Sequence, residues 1–532
     1  MWKHAAVGFV LLAALGCSDD TETQVQSGGA GGAGGGGFAA FAGIAAVGGS
    51  GGGGDTGGTG DIPLPPPDDH HVVSRFNTID RAIAKRLEAL PDVGAAFAII
   101  EDGKVAWSKG YGRKDPRNVL SKPVTSETLF VNSAVSQVAT TIRIMQMVED
   151  GLLSVEDLVP DQLREMRLPY MNRHPDWLGQ MRVRHLMTMT SGLKSSHEPA
   201  DVWCTGDEAA LERYMTRWAF QFGWMEYPPG RLDNYSGDDF RALGLLIERL
   251  DKRSYRESIG LNVLRPLGMA KTFFRPEELI AHGNVAVNDG LIDPCTLSPM
   301  NWPTSSSLTT VRNLAKLGLF LMEGNELVLS DAGLARLNAP HIATGSHTAI
   351  NLSSVRSVVG LQRANDDIQT YPFLTLSFGG DVGDYSSSVI LVPSLGIGYV
   401  RLTNQKLPAE IWDDGAIVET ALRSLAKLPP APMLGEKEDP VNLNRYVGTY
   451  RRLNELITIT RGLRAGLHVK GHGLDCNLTP GCPCVFHCTL ESPDRPTEIK
   501  FFKDADGNPE FLRLNSVLVA QRMRLIVPPF VE

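Results

Sequence analysis

Residues 130–151 read FVNSAVSQVATTIRIMQMVEDG and have the pattern of a buried helix. Apolar side chains recur there at spacings of three and four residues, at Val135, Val138, Ile142, Met145 and Val148. This spacing places them on one face of an α-helix, and glycine is typical of the position where a helix ends. The segment therefore predicts a buried helix that ends near Gly151.

Strand patterns lie on both sides of this helix. Upstream, a helical pattern from Arg75 leads into strands at 95–100 and 105–110. Their link, Asp102-Gly103, is typical of a β-hairpin. Downstream, helical patterns at 206–222, 239–250 and 310–322 precede strand patterns at 375–378, 386–392 and 397–402. We expect an α+β fold in which an antiparallel sheet is completed by both ends of the domain, flanked by helices and interrupted by an all-helical block.

A change in composition near residue 430 predicts a second domain. Leu428-Pro429-Pro430 and the charged residues 436–439 end the helical patterns. Short alternating runs follow at 446–450, 456–460, 467–470, 498–502 and 511–514. Such alternation predicts strands. We therefore expect one large domain over residues 73–430 and a small C-terminal β-barrel-like domain over residues 436–532.

The beginning of the chain predicts export. Lys3 precedes an apolar stretch, residues 5–15, that is shorter than the roughly 20 residues of a transmembrane helix and fits a signal peptide over residues 1–16. Ala14-Leu15-Gly16-Cys17 is similar to a bacterial lipoprotein box, which implies a lipid on Cys17; ordinary signal cleavage nearby is the alternative. Residues 17–72 are rich in glycine and proline and predict a flexible tether. We expect a membrane-anchored lipoprotein at the periplasmic face, the outer membrane or the cell surface.

Composition limits the classes of partner. The 532 residues include 51 Lys and Arg against 60 Asp and Glu, a formal net charge of −9. Without a basic field, nucleic acid is not an expected partner. The 42% of hydrophobic residues suffices for a large core. The sequence predicts no cofactor.

The cysteine count predicts disulfide bonds. Once Cys17 is assigned to the lipid, six of the 7 Cys remain, and an even number in an exported protein is typical of disulfides. They are Cys204, Cys295, Cys476, Cys482, Cys484 and Cys488. We expect a bridge between Cys204 and Cys295 and two bridges in the C-terminal cluster, whose connectivity stays open. A zinc site with His472 and His487 is the alternative, but the cluster lacks regular C-x2-C pairs, so no metal is predicted.

Ordered landmarks in the large domain resemble a known superfamily. They lie at 97–112, 123–154, 185–193 (HLMTMTSGL), 229–244, 264–269 (LRPLGM) and 379–404. In this order they are similar to the serine β-lactamase and penicillin-binding-protein superfamily, in the branch of class C β-lactamases, DD-peptidases and related esterases. The resemblance implies a β-lactamase/transpeptidase-like fold. The C-terminal domain is similar to the lipocalin-like modules that follow some of these hydrolases.

The two residues that start the chemistry of this superfamily are replaced. The resemblance implies a Ser-x-x-Lys motif, in which the Lys takes the hydroxyl proton while the Ser attacks a carbonyl. Alignment on Phe130 and Gly151 without gaps places Ala134 at the Ser position and Gln137 at the Lys position. Alanine has no nucleophile, and a glutamine amide neither gains nor loses a proton near neutral pH.

The other two motifs of the superfamily are degenerate as well. Tyr-x-Asn is matched by Tyr235-Ser236-Gly237, and Lys/His-x-Gly by Phe378-Gly379-Gly380. Only the phenol of Tyr235 remains among the side chains that carry the chemistry. The resemblance therefore implies no catalytic residue at the six family positions, which are Ala134, Gln137, Tyr235, Gly237, Phe378 and Gly380. Of these residues, Gln137, Tyr235 and Phe378 are candidate binding residues.

These replacements predict a pseudoenzyme, because loss of the nucleophile costs serine hydrolases about a millionfold in turnover. We expect it to bind a ligand or partner at the cell envelope, such as peptidoglycan fragments or an envelope protein. An active serine hydrolase with a displaced nucleophile is one alternative, although Ser133 and Ser136 lie about 100° and 200° around the helix from position 134. A purely structural envelope protein is another. The cleft itself is expected either to have filled in or to bind a neutral or hydrophobic group.

Overall fold

The computed structural model describes residues 74–133, 136–168, 175–194, 206–275, 277–278, 284–287, 292, 294–345, 348–363, 368–433, 443–452, 455–462, 466–480, 485–488, 497–503, 508–514 and 518–523. The predicted signal peptide and tether lie outside these residues, as do Cys17, Ala134, Cys204, Cys482, Cys484 and the side chain of Cys295, so the predicted Cys204–Cys295 bridge lies outside the described part. In the described part, no helix is long and apolar enough to cross a membrane.

The large domain alternates helices and strands. Its α-helices are α1 (Asn77–Leu87), α2 (Ser136–Glu149), α3 (Val159–Gln162), α4 (Pro175–Leu178), α5 (Val183–Met187), α6 (Ala210–Tyr214), α7 (Phe220–Phe222), α8 (Gly237–Asp251), α9 (Tyr255–Ile259), α10 (Val311–Glu323), α11 (Asp331–Asn338) and α12 (Asp414–Leu425). Its strands are β1 (Ala95–Glu101), β2 (Lys104–Tyr111), β3 (Phe130–Val131), β4 (Thr272–Phe273), β5 (Leu308–Thr309), β6 (Pro340–Gly345), β7 (Thr348–Asn351), β8 (Arg356–Gln362), β9 (Ile368–Val382), β10 (Tyr385–Val392) and β11 (Ile397–Thr403). Wide π-helical turns follow α6 at Met215–Ala219 and α9 at Gly260–Leu264.

One antiparallel sheet organises this domain. Within the described residues its eight strands run in the order β2-β1-β11-β10-β9-β8-β7-β6. The first hairpin therefore pairs with the last strand of the domain, with Ala95 opposite Thr403. This confirms the α+β fold, because both ends of the domain complete the sheet around the helical block.

Strand β1 is buried on both faces, which explains its unbroken apolar sequence. Neighbouring side chains on a strand point to opposite faces. Phe97 and Ile99 pack in a core with α1 and α12, whereas Ala98 and Ile100 join the core on the helical side. Helix α10 packs directly on β1 and β11 on that second side.

Helix α2 crosses the centre of the helical side and is buried along nearly its whole length. Its polar side chains have partners inside the protein. Arg143 binds Asp251 at the end of α8 through two bonds, Nη2–Oδ1 at 2.6 Å and Nε–Oδ2 at 3.0 Å. The Nε2 of Gln146 donates to the carbonyl of Val328 at 2.7 Å. The predicted buried helix is thus the axis around which the helical block packs.

The C-terminal domain is a closed antiparallel barrel. Its eight described strands are β12 (Gly448–Arg452), β13 (Glu455–Arg461), β14 (Leu467–Gly471), β15 (Leu474–Pro480), β16 (Val485–Cys488), β17 (Thr497–Lys503), β18 (Pro509–Leu514) and β19 (Leu518–Arg522). Pairing of β12 with β19 closes the barrel. A disulfide joins Cys476 of β15 to Cys488 of β16, which supplies one pair of the cysteine cluster.

The sequence patterns missed several strands, and the reason is physical. Strands β6 to β8 form one end of the large sheet, and burial along β8 does not alternate because a bulge interrupts its pairing with β9. In the barrel, β16 and β19 are short, with four and five residues, and the seven-residue β15 is partly polar. Strand β9 spans Ile368–Val382, well beyond the predicted 375–378.

Candidate functional site

Gln137 lies in the first turn of α2, where the family's proton acceptor would stand. Its side chain is buried, with 4% of the residue exposed. Its Nε2 donates a hydrogen bond to the hydroxyl oxygen of Tyr235 at 3.3 Å. The structure therefore brings together two of the three residues that the sequence predicts as binding residues, and it joins them as a neutral amide–phenol pair. Ala134, one helical turn earlier in the chain, lies outside the described residues.

Tyr235 is held on the segment that leads into α8. Ser236 is the N-cap of this helix, with extended backbone, and its hydroxyl donates to the carbonyl of Lys194 at 3.0 Å. Gly237 opens the helix and is buried. The position at which the family carries an amide is therefore a helical residue without a side chain.

The HLMTMTSGL segment, residues 185–193, is hydrogen-bonded to residues on either side of Tyr235 in the chain. The carbonyl of Met189 accepts the backbone N–H of Asn234 at 2.9 Å, and the Ser191 hydroxyl donates to Asp239 Oδ1 at 2.6 Å. Burial raises the pKa of Asp239 well above its ordinary value. His185 is buried too, and burial, reinforced by nearby Arg184, lowers its pKa to about 3. This landmark therefore acts through neutral buried groups that fix the backbone.

Phe378 stands on β9, opposite Val389 of β10, with 9% of the residue exposed. The next residue has to be glycine, because a Cβ on Gly379 would lie 2.4 Å from the carbonyl oxygen of Ser387. Gly380 pairs with Ser387, whose hydroxyl donates to the carbonyl of Asn132 at 2.9 Å. The third motif thus retains the strand geometry, with an aromatic ring in the place of a cation.

A cavity of about 560 Å³ brings these motifs together. Gln137, Met189, Tyr235 and Phe378 all line it. The cleft between the sheet and the helical block is therefore open at all three motif positions that the structure describes.

The cavity continues on the opposite face of the sheet, so its volume is shared between two lobes. Ser388 lines it from the face opposite to Phe378. In this second lobe Arg401 binds Asp414, with Nε–Oδ1 at 2.9 Å and Nη2–Oδ2 at 3.0 Å, and Tyr399 donates to the same carboxylate at 2.6 Å. Burial alone would raise the pKa of Asp414, but Arg401 outweighs it and holds the pKa below its ordinary value. This lobe is built on an internal ion pair.

The two serines that flank position 134 lie away from the described lining of the large cavity. Ser133 is fully buried with a left-handed φ of 53°, and its hydroxyl has no hydrogen-bond partner among the described residues. The Ser136 hydroxyl donates to Asn132 Oδ1 at 2.8 Å and lines a small separate cavity behind the helix. Neither serine belongs to the described lining of the large cavity.

Sequence reasoning missed the charged residues of the site. Arg513, on β18 of the barrel, lines the cavity and binds Asp233 Oδ2 at 3.0 Å. Arg356, on β8, lines it as well. No sequence pattern links Arg513 to Asp233, because the two are 280 residues apart and belong to different domains.

Comparisons with known proteins agree with this geometry. The Beta-lactamase family model matches residues 79–422, well over half of the chain, so the chain belongs to the β-lactamase family. Protein flp of Staphylococcus aureus strain N315 is 27% identical over 203 residues, which is 37% of this chain and 38% of that protein. The chain thus spans little more than a third of this relative. A human protein named Putative beta-lactamase-like 1 is 23% identical over 372 residues, 66% of this chain and 70% of that protein.

Solved structures with low sequence identity share the fold. The octameric penicillin-binding protein homologue from Pyrococcus abyssi is 20% identical, with a TM-score of 0.55 over 84% of this chain and 100% of that one. SurE in complex with D-Leu is 17% identical, with a TM-score of 0.64 over 85% of this chain and 100% of that one. They confirm the penicillin-binding-protein-like fold that the sequence landmarks predict.

Proposed function

We propose that this protein is a non-catalytic member of the β-lactamase family that binds a ligand in the cleft between the sheet and the helical block. The hydrogen bond between Gln137 and Tyr235 carries the proposal. An amide at this position cannot accept the proton of a nucleophile, and alanine at position 134 supplies no nucleophile.

The neighbouring hydroxyl groups do not replace the missing nucleophile. Ser136 already donates to Asn132, and Ser133 is buried away from the cavity lining. A general base must lie within hydrogen-bond reach of the proton that it removes. Besides Asn132, the Ser136 hydroxyl has one other side-chain partner among the described residues, the hydroxyl of Ser307 at 3.2 Å. A serine hydroxyl is not a base near neutral pH.

The open cavity favours binding over a filled-in cleft. Met189 and Phe378 supply apolar surface, while Gln137 and Tyr235 supply polar groups that can orient a ligand. The described lining as a whole mixes apolar side chains with many polar and charged ones, so an apolar group of a ligand can be held while polar groups fix its orientation. The ligand class on this basis is a compound with an apolar group, held without bond cleavage.

Intact-mass measurement tests the absence of catalysis. The purified protein is incubated with a fluorophosphonate probe and, separately, with a penicillin. We expect no covalent adduct with either compound. A stoichiometric adduct on any serine would establish the active hydrolase with a displaced nucleophile and end the proposal.

A gain-of-function variant controls for a misfolded cleft. Ala134→Ser combined with Gln137→Lys restores a nucleophile and a base at the proposed spacing, and we expect acylation in this double variant alone. Ser133→Ala and Ser136→Ala, each introduced into the double variant, serve as matched controls and should leave the adduct in place. An adduct that disappears with either control would move the nucleophile away from position 134.

We also propose export and anchoring through a lipid on Cys17. The sequence of residues 1–17 supports this, as does the Cys476–Cys488 disulfide, since disulfides persist in oxidising compartments. An anchored, non-catalytic protein at the envelope would present its cleft to peptidoglycan fragments or to an envelope protein.

A further inference from the structure

The barrel docks on the segment that carries Tyr235. The outer faces of β17 to β19 meet this segment, because the inward side chains of the same strands form the barrel core. Tyr227 and Leu232 of the large domain pack against Phe511 and Val519 of the barrel, and all four are nearly fully buried. The barrel therefore contacts the wall of the candidate site directly.

Three arginine–carboxylate pairs surround this apolar contact. Arg452 binds Glu226 at 3.0 Å and Arg231 binds Glu510 at 3.0 Å. The third pair joins Arg513 to Asp233, also at 3.0 Å, and only 6% of the Arg513 side chain is exposed. Of these three arginines, Arg513 is the one that belongs to the described lining of the cavity.

Positive charge exceeds negative charge around Arg513. Lys500 lies directly opposite Arg513 on the neighbouring strand, and both cations pack over the ring of Phe502 at 5.2 Å. Like charges directly opposite each other on two strands repel. Arg356 adds a third cation to the described lining, on the face of the sheet opposite to Phe378, because it pairs with Ser377 of β9.

All three cations lower the pKa of Asp233, but only Arg513 forms an ion pair with it among the described residues. Burial would raise the pKa of Asp233, yet the charges of Arg513, Lys500 and Arg356 outweigh burial and hold the pKa below its ordinary value. The carboxylate therefore stays ionised, and positive charge exceeds negative charge locally around Asp233, although Asp381, Asp413 and Asp414 add carboxylates elsewhere in the described lining. A guanidinium in such a partly desolvated place binds carboxylates through strong, directional hydrogen bonds.

The same cavity also has apolar lining. Met189 and Phe378 line it together with Arg513. A ligand that fits both parts has an apolar group and an anionic group.

We propose that Arg513, from the barrel, is a ligand-binding residue of the candidate site and binds a carboxylate of a small ligand whose apolar group lies against Phe378 and Met189. The inference rests on the proposed binding function of the cleft. It makes the site a product of both domains, since the large domain alone lacks Arg513.

Calorimetric titration of the full chain with two matched probes tests this role. The probes are phenylacetylglycine, which has an apolar ring and a carboxylate, and its uncharged primary amide. We expect the acid to bind about tenfold more tightly than the amide, the factor typical of a charge-assisted hydrogen bond. Arg513→Gln should remove this preference, and Arg513→Lys should retain part of it.

Arg231→Gln is the matched control, because Arg231 also pairs with a carboxylate between the domains but lies outside the described lining of the cavity. It should leave the preference for the acid unchanged, and thermal unfolding of both variants checks that the barrel stays docked. Equal affinity for acid and amide in the wild type, equal effects of the two variants, or no saturable binding of the acid would overturn the role of Arg513. The non-catalytic proposal is tested separately by intact-mass measurement, where a covalent adduct would show that it has failed.

Discussion

Replacing Asp251 by Asn should strongly destabilise the large domain. Asp251 ends α8, which begins at Gly237, and it binds Arg143 of α2, the helix that carries Gln137. The two side chains are 11% and 8% exposed. Asp251→Asn leaves the buried guanidinium without its counter-charge, and breaking a buried pair in this way costs about 3–5 kcal/mol.

Thermal unfolding measures this effect. At about 2–4 °C per kcal/mol for a large domain, the midpoint should fall by roughly 6–20 °C. Glu156→Gln is the matched control, because Glu156 pairs with Arg184 at 3.1 Å while 54% of its side chain is exposed. Exposed pairs contribute about 0–1 kcal/mol, so this control should shift the midpoint by no more than about 4 °C.

The pH dependence of the stability difference between wild type and Asp251→Asn gives a second readout. Burial would raise the pKa of Asp251, but hydrogen bonds from Arg143 and Ser258 hold it below its ordinary value. A depressed carboxyl pKa stabilises the fold above the unfolded value, about 3.9, and this contribution is lost as the pH falls below it. The difference between wild type and Asp251→Asn should therefore shrink below about pH 4. A variant no less stable than Glu156→Gln, or a difference that grows in acid, would refute the reasoning.

Three further predictions concern the motifs and the anchor. Gly379→Ala should lower the unfolding midpoint and weaken ligand binding, because the new Cβ meets the Ser387 carbonyl at 2.4 Å; Gly206→Ala, which meets nothing within 4 Å, should change neither. Burial lowers the pKa of His185 to about 3, so the folded state resists protonation of this side chain. The free energy of unfolding should therefore fall as the pH drops below about 6.5, by up to about 1.4 kcal/mol per pH unit. His185→Gln should flatten this slope in denaturant titrations, and an unchanged slope would contradict the assignment. Cys17→Ser should abolish fatty-acid labelling and release the protein from membranes in fractionated cells, whereas labelling that persists would place any lipid elsewhere.

Local periodicity was sufficient for the elements that are buried in a regular way. Helix α2 follows from apolar spacing, and β1 follows from an unbroken apolar run, because burial on one face or on both faces leaves a direct trace in the sequence. The landmark at 185–193 indicates the family from sequence alone, and its physical basis lies in the bonds of Met189 and Ser191, which fix the backbone next to Tyr235. Strands β6 to β8 escaped prediction because bulges at the end of a sheet break the alternation on which such a prediction depends.

The candidate site was predictable only in part. Gln137, Tyr235 and Phe378 could be assigned from motif spacing, since each motif lies within a few consecutive residues. Their hydrogen bonds could not be assigned in this way, because Gln137 and Tyr235 are 98 residues apart and the contact depends on how α2 packs beside α8.

The sequence by itself determined the family, an antiparallel sheet around a helical block, five of the eight described C-terminal strands and the absence of a nucleophile at position 134. These properties depend on residue identities and on short spacings along the chain. Only the tertiary structure decided that the cleft is open, that an amide and a phenol are joined within it, and that Arg513 of the barrel lies on its wall beside Asp233. The physical reason is that charge and cavity shape depend on distances between segments far apart in the chain, and those distances exist only once both domains have packed together.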